Sequence, residues 1–142
     1  MSSFRPNFIC PGAQKAGTTT LYDVLQQHPQ VCLTSRKEPL FFIDEEQYPR
    51  GLDYYRDTYF SHFDGEPVIG ECCPCYLHIP DAPRRLHDTL GSELRLVFLL
   101  RQPAERTIDR REDVGATVAT TERNDDVPPP VVLLVERPDA LE

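Results

Sequence analysis

The sequence predicts a three-layer α/β domain, a parallel β-sheet with helices on both faces. Three observations predict it. Short apolar runs alternate with segments whose apolar residues recur at helical spacing. The run Leu94 to Leu100 is apolar except for Arg95, as expected of a strand covered on both sides. The stretch Cys10 to Leu21 joins the first apolar run to the first helical one through a turn rich in Gly and Thr.

Phe8 to Cys10 is the first expected strand, and Thr18 to Gln27 the first helix, with Leu21, Val24 and Leu25 as its apolar positions. His28-Pro29 ends that helix, because a residue before proline is pushed out of the helical region. Val31-Cys32-Leu33 reads as a second strand and Thr34 to Phe42 as a polar loop running into aromatics. Leu52 to Phe60 reads as a Tyr-rich helix, with Asp53 and Asp57 on its polar face and Tyr54, Tyr55 and Tyr59 as packing residues. Val68-Ile69-Gly70 fits a third strand, Ala82 to Leu90 a helix after Pro80 and Asp81, and Leu94 to Leu100 the fourth strand. Parallel strands joined through helices require right-handed crossovers, and ligands then gather at the carboxyl ends of the strands.

A chain of 142 residues with 39% hydrophobic and 9% aromatic residues is long enough for one domain with a substantial core. The formal net charge of -8 argues against general nucleic-acid binding, since a polyanion is repelled outside any local basic pocket. No apolar run approaches the roughly 20 residues needed to span a bilayer, and residues 1–9 lack the basic start and apolar middle of a secretion signal. No membrane partner is expected, and cytoplasmic residence is the expectation. Three of the five cysteines crowd into Cys72-Cys73-Pro74-Cys75, but no second pair lies at the spacing of a zinc site, so free thiols and no metal are expected. His28, His62, His78 and His87 form no ligand-like group.

The chemistry is concentrated in Cys10-Pro11-Gly12-Ala13-Gln14-Lys15-Ala16-Gly17-Thr18-Thr19-Thr20-Leu21. At a strand-to-helix junction the first helical N–H groups have no partner within the helix, and the peptide dipoles place partial positive charge there. An anion is held with little help from side chains. Gly12 and Gly17 let the backbone turn and approach a ligand, Lys15 adds a full positive charge, and the threonines add hydroxyls. In the loop that binds nucleoside triphosphates the lysine follows the second glycine; here Lys15 precedes it.

That order, Gly-x-x-Lys-x-Gly-Thr-Thr, resembles the 5′-phosphosulfate loop of the sulfotransferases that use 3′-phosphoadenosine 5′-phosphosulfate (PAPS). Four further stretches are similar to that family, in its heparan-sulfate-type and bacterial branch, and in its order. Arg36-Lys37-Glu38-Pro39-Leu40-Phe41-Phe42 resembles the Lys-Glu-x-x-Phe-Phe segment, whose glutamate is the catalytic base. Gly51-Leu52-Asp53-Tyr54-Tyr55 resembles Gly-x-x-Trp-Tyr, and Glu71-Cys72-Cys73-Pro74-Cys75-Tyr76 resembles Glu-x-Ser/Thr-Pro-x-Tyr. Leu99-Leu100-Arg101-Gln102-Pro103-Ala104-Glu105-Arg106 resembles the 3′-phosphate segment Leu-Arg-Asn/Asp-Pro-x-x-Arg. The resemblance covers residues 8–106.

It implies a P-loop-type α/β fold and transfer of a sulfuryl group from PAPS to a hydroxyl or amine acceptor, leaving adenosine 3′,5′-bisphosphate. Lys15, Ala16, Gly17, Thr18, Thr19 and Thr20 would hold the phosphosulfate and Arg101 the 3′-phosphate. Lys15 and Glu38 would be catalytic, Glu38 taking the acceptor proton. Taken alone, Glu38 beside Lys37 and Arg36 reads as a solvated ion-pair residue, and Arg101 as a partner of Glu105 or a cap on the sheet edge. Two other classes stay open: a catalytically silent binding module that retains the loop, and a nucleotide kinase, disfavoured by the displaced lysine.

Residues 1–106 are expected to form the PAPS-binding domain and 107–142 a divergent, proline-containing tail, part of the same domain or disordered. The resemblance stops there. Asp109 stands where the family has a serine that donates to the 3′-phosphate, and a carboxylate repels a phosphate. From Thr107 to Glu142, four arginines against nine acidic residues give a net charge of -5. Asp125-Asp126-Val127-Pro128-Pro129-Pro130 reads as turn or extended chain, and Val131 to Val135 as an added strand. Either the chain is shortened and its ending diverged, as a shifted reading frame would produce, or the tail completes the fold differently.

Overall fold

The computed structural model describes residues 4–102 and the strand Val131–Val135. Its sheet is built from β1 (Phe8–Gly12), β2 (Val31–Leu33), β3 (Val68–Cys72), β4 (Arg95–Leu100) and β5 (Val131–Val135), in the spatial order β2-β3-β1-β4-β5. β2, β3, β1 and β4 are mutually parallel, whereas β5 runs antiparallel beside β4, with Leu96 opposite Val135 and Leu100 opposite Val131. Between the strands lie α1 (Thr18–Gln26), α2 (Gly51–Tyr59) and α3 (Asp81–Leu90), with single 3-10 turns at Tyr48–Arg50 and Tyr76–His78. The expected α/β class, the four parallel strands and the added strand at 131–135 are all present. Asp109, Arg106 and the proline run lie outside the described residues.

The pleat explains the three layers. Successive strand residues face opposite sides, so Ile9, Cys32, Ile69 and Leu96 pack with α2 and α3, while Phe8, Cys10, Leu33, Cys72 and Leu99 pack with α1. The α2/α3 face is aromatic: Phe41, Phe42, Tyr55, Phe60 and Tyr76 are all fully buried. α2 turns Leu52, Tyr55 and Tyr59 inward at helical spacing and leaves Asp53 and Asp57 in solvent; α3 does the same with Ala82, Arg85, Leu86 and Leu90.

Four expectations shift. β1 runs through Pro11 to Gly12 and β3 through Glu71 to Cys72, because ladder pairing continues past residues that look like strand breakers: Gly12 pairs with Phe98 and Cys10 with Cys72. Gly12 is therefore a strand residue backed by Leu77, whose side chain lies 2.9 Å from where a Cβ at Gly12 would stand, and it does not belong to the loop. On α1 the buried positions are Thr18 and Tyr22, with Leu21 and Leu25 packed beside them; Val24 is 61% exposed. The Tyr22 hydroxyl donates to the Thr34 carbonyl at 2.6 Å, which turns the helix toward the end of β2 and Val24 outward. β4 is half-buried rather than enclosed, with Leu99 buried and Leu100 exposed.

Candidate active site

The loop at the end of β1 comprises residues 13–17. Ala13 donates its backbone N–H to the Leu99 carbonyl at 2.8 Å, tying the start of the loop to β4. Ala13 and Ala16 are buried and pack into the apolar cluster beneath, so no larger side chain fits at either position without displacing that cluster. Lys15 takes a left-handed backbone (φ 58°) and Gly17, at φ 101°, starts α1. The first bond of the helix runs from the Leu21 N–H to the Gly17 carbonyl at 3.0 Å, and no side chain among the described residues caps the helix. The N–H groups of Thr18, Thr19 and Thr20 therefore have no acceptor within α1, and the positive end of its dipole is uncapped.

Facing this helix start is the segment after β2. Glu38 also has a left-handed backbone (φ 57°), as does Leu40 (φ 62°), and the Glu38 N–H donates to the Cys72 carbonyl at the end of β3 at 3.3 Å. A non-glycine residue in this region costs on the order of 1–2 kcal/mol, so packing around the segment must hold it there. Between loop and segment lies a cavity of about 350 Å3, lined by Gln14, Lys15, Gly17, Thr18, Thr19, Lys37, Glu38 and Pro74. That volume falls in the usual range for small-ligand sites.

The expected residues are thus largely together. Lys15, Gly17, Thr18 and Thr19 form one wall and Glu38 another. Two expected residues lie outside the lining: Ala16 is buried beneath the loop, and Thr20 is exposed. Arg101, just past β4, donates from Nη1 to the Lys15 carbonyl at 3.4 Å, so its guanidinium sits against the loop. Glu38 does pair with a neighbour, Oε1 lying 2.7 Å from Lys37 Nζ, with the carboxylate side chain 38% exposed. Arg36 points elsewhere, its guanidinium 5.8 Å from the centre of the Tyr59 ring. Two lysines, one carboxylate and a helix N-terminus give the cavity a local positive balance in a chain whose net charge is -8.

Sequence reasoning missed three features. Lys37 lines the cavity, although two adjacent cations in Arg36-Lys37-Glu38 gave no way to tell which of them turns inward. Pro74 closes one side, placed there by the continuation of β3. Glu71 is fully buried on β3, where the Tyr55 hydroxyl donates to its Oε2 at 2.6 Å. Burial pushes its carboxyl up to about 7, against the pull of the Tyr55 and Tyr76 hydroxyls in the other direction. A glutamate amid strand residues beside three cysteines was the available signal. All five cysteines are free thiols, and among the described residues no group of three or more His, Cys, Asp or Glu is placed to hold a metal ion. No helix among the described residues is long and apolar enough to cross a membrane.

No family model matches the chain. Among curated proteins, the membrane-associated sulfotransferase kil1 of Dictyostelium discoideum is 36% identical over 107 residues, which are 74% of this chain and 22% of that protein. Human heparan sulfate glucosamine 3-O-sulfotransferase 5 is 31% identical over 72% of this chain and 29% of its own length. Human bifunctional heparan sulfate N-deacetylase/N-sulfotransferase 3 is 30% identical over 71% of this chain and 12% of its own. The crystal structure of a sulfotransferase from Alicyclobacillus acidocaldarius superposes with a TM-score of 0.65 at 28% identity, covering 82% of this chain and 54% of that one. The chain spans less than a third of the length of these curated relatives and about half of the solved structure. By sequence over almost three quarters of its length, and by fold, the chain belongs to the sulfotransferase family.

Proposed function

We propose that the chain transfers a sulfuryl group from PAPS to a hydroxyl or amine acceptor, with the loop and the start of α1 binding the donor and Glu38 acting as base. The observation that carries this reading is the shared cavity, which sets Lys15, Gly17, Thr18 and Thr19 opposite Glu38. The residues suit the donor: free helix N–H groups and two ammonium groups match a phosphosulfate, and the buried alanines keep the loop backbone close to whatever sits above it. When bound, PAPS supplies an activated sulfuryl group whose bridging oxygen gains negative charge as the adenosine bisphosphate departs.

Lys15 and the amides of Thr18 and Thr19 stabilise that growing charge, so their interaction is stronger in the transition state than before it. In this reading Arg101, whose guanidinium lies against the Lys15 carbonyl, grips the 3′-phosphate in two-pronged fashion. Glu38 removes the acceptor proton. Its present partner Lys37 is free to swing to the donor's sulfonate, releasing the carboxylate as the acceptor arrives. A proton-accepting group in place contributes about 100- to 10,000-fold.

The test is transfer of labelled sulfate from PAPS to a panel of hydroxyl and amine acceptors by the wild-type chain and by Glu38→Gln. The proposal expects transfer by the wild type and a loss of about 100-fold or more in the variant. Binding of adenosine 3′,5′-bisphosphate without transfer identifies a silent module instead, and preferential binding of ATP with magnesium identifies a kinase-type site.

A further inference from the structure

The segment bearing Glu38 is held by buried hydrogen bonds and ring contacts, and one of the rings packed on it, that of Tyr55, is bonded through its hydroxyl to a residue outside the cavity. The single Tyr59 hydroxyl proton is shared between Gln47 Oε1 at 2.5 Å and the Pro39 carbonyl at 3.2 Å. The Phe42 N–H donates to the Tyr76 hydroxyl at 3.4 Å, and Arg85 Nη1 donates to the Phe42 carbonyl at 3.3 Å. The Phe41 ring lies 4.5 Å from that of Tyr55, and Phe42 packs edge-on to Tyr76 at 5.8 Å. Tyr55, whose ring packs on both phenylalanines, donates its hydroxyl to Glu71 Oε2 at 2.6 Å, and the Tyr76 hydroxyl, which accepts the Phe42 N–H, acts electrostatically on the same carboxyl. Glu71 in turn precedes Cys72, whose carbonyl accepts the Glu38 N–H.

We propose that Glu71 is a positioning residue: through Tyr55 and Tyr76 it fixes residues 38–42 in their left-handed turns and so sets where the Glu38 carboxylate stands in the cavity. A buried carboxyl is an expensive way to pack a core, and an apolar side chain would serve packing alone at least as well. Among the described residues, Glu71 Oε1 has no hydrogen-bond partner. Its place in the core is explained by what the other oxygen does, which is to hold the Tyr55 hydroxyl and so orient a ring that packs on Phe41 and Phe42 of the Glu38 segment. Without that clamp, Glu38 and Leu40 relax out of their left-handed backbones, and a base displaced by about 1 Å loses on the order of 100-fold in rate. The groups facing Glu71 are Tyr55 and, farther off, Tyr59 from α2, Tyr76 from the 3-10 turn, the Cys72 thiol of its own strand and the Cys73 thiol just past it; its β1 partner is Ile9.

The inference rests on Glu38 being the base. Glu71→Leu removes the acceptor, Glu71→Gln keeps it without the charge, and Tyr76→Phe deletes one hydroxyl without disturbing the fold. Each full-length variant is assayed for kcat, for the Kd of adenosine 3′,5′-bisphosphate and for amide hydrogen exchange over residues 38–42. Expected are a fall in kcat of about tenfold or more for Glu71→Leu and Tyr76→Phe, recovery to within about threefold for Glu71→Gln, and a Kd that stays within about twofold. Exchange at the Phe42 amide is expected to quicken in the same two variants relative to β1. An unchanged kcat in Tyr76→Phe, or a Kd that weakens in step with kcat, overturns the proposal. If the wild-type chain transfers no sulfate, the functional reading fails but the exchange data still decide: unchanged exchange at 38–42 overturns the clamp, and faster exchange supports it.

Discussion

At Gly17 the backbone does what only glycine does without strain, sitting at φ 101° as the last residue before α1. Gly17→Ala is expected to destabilise the chain by about 1–2 kcal/mol and to weaken binding of adenosine 3′,5′-bisphosphate, because the first helical N–H groups rotate with the strained turn. Urea unfolding and calorimetric titration of the same variant check the two effects. Lys15 and Glu38 carry comparable backbone strain with full side chains, and both line the cavity. Such strain is invisible in a sequence, since Lys and Glu are ordinary residues anywhere else. What the sequence did disclose was the identity of Lys15, Gly17, Thr18 and Thr19 as one group, because they are consecutive. That Glu38 would face them depended on the motif order, for the local run Arg36-Lys37-Glu38 by itself reads as surface charge.

Among the elements, the junction of β1 and β3 is the tightest. A Cβ at Gly70 would collide with the Phe8 carbonyl and ring, the residue directly opposite in the parallel ladder. Gly70→Ala is therefore expected to lose about 2–4 kcal/mol, read as a lower urea midpoint with unchanged slope, whereas Gly65→Ala, with open space around it, costs only its positive-φ strain. Strand interiors were legible where a short apolar run was unbroken, as in Val31–Leu33. Their ends were not: Pro11, Gly12 and Glu71 look like terminators, and only the pairing of Gly12 with Phe98 and of Ile9 with Glu71 keeps the chain extended. On α1 the sequence marked Leu21, Val24 and Leu25 as the inner face; Leu21 and Leu25 do pack inward, but Thr18 and Tyr22 are the buried stripe and Val24 turns out, because the Tyr22 hydroxyl finds the Thr34 carbonyl.

For the molecule as a whole, the fully buried Glu71 carboxyl links stability to pH. Burial raises it from the ordinary 4.5 to about 7 in the folded chain, so the folded state holds a proton that the unfolded state has released across that window. Stability from this group is full below about pH 4.5 and declines as pH rises toward 7, by roughly 3 kcal/mol in all. Unfolding measured at pH 5 and pH 8 should show this loss in the wild type and not in Glu71→Gln. The order of strands places the carboxyl end of β1 between those of β3 and β4, and every group proposed to act lies there: the loop from β1, Glu38 tied to the end of β3, and Arg101 following β4. Calorimetric titration of adenosine 3′,5′-bisphosphate into the wild-type chain and Lys15→Ala tests that arrangement most directly. The account predicts saturable binding to the wild type, weakened by about 10- to 100-fold in the variant; equal affinity in both proteins, or no binding to either, would contradict it.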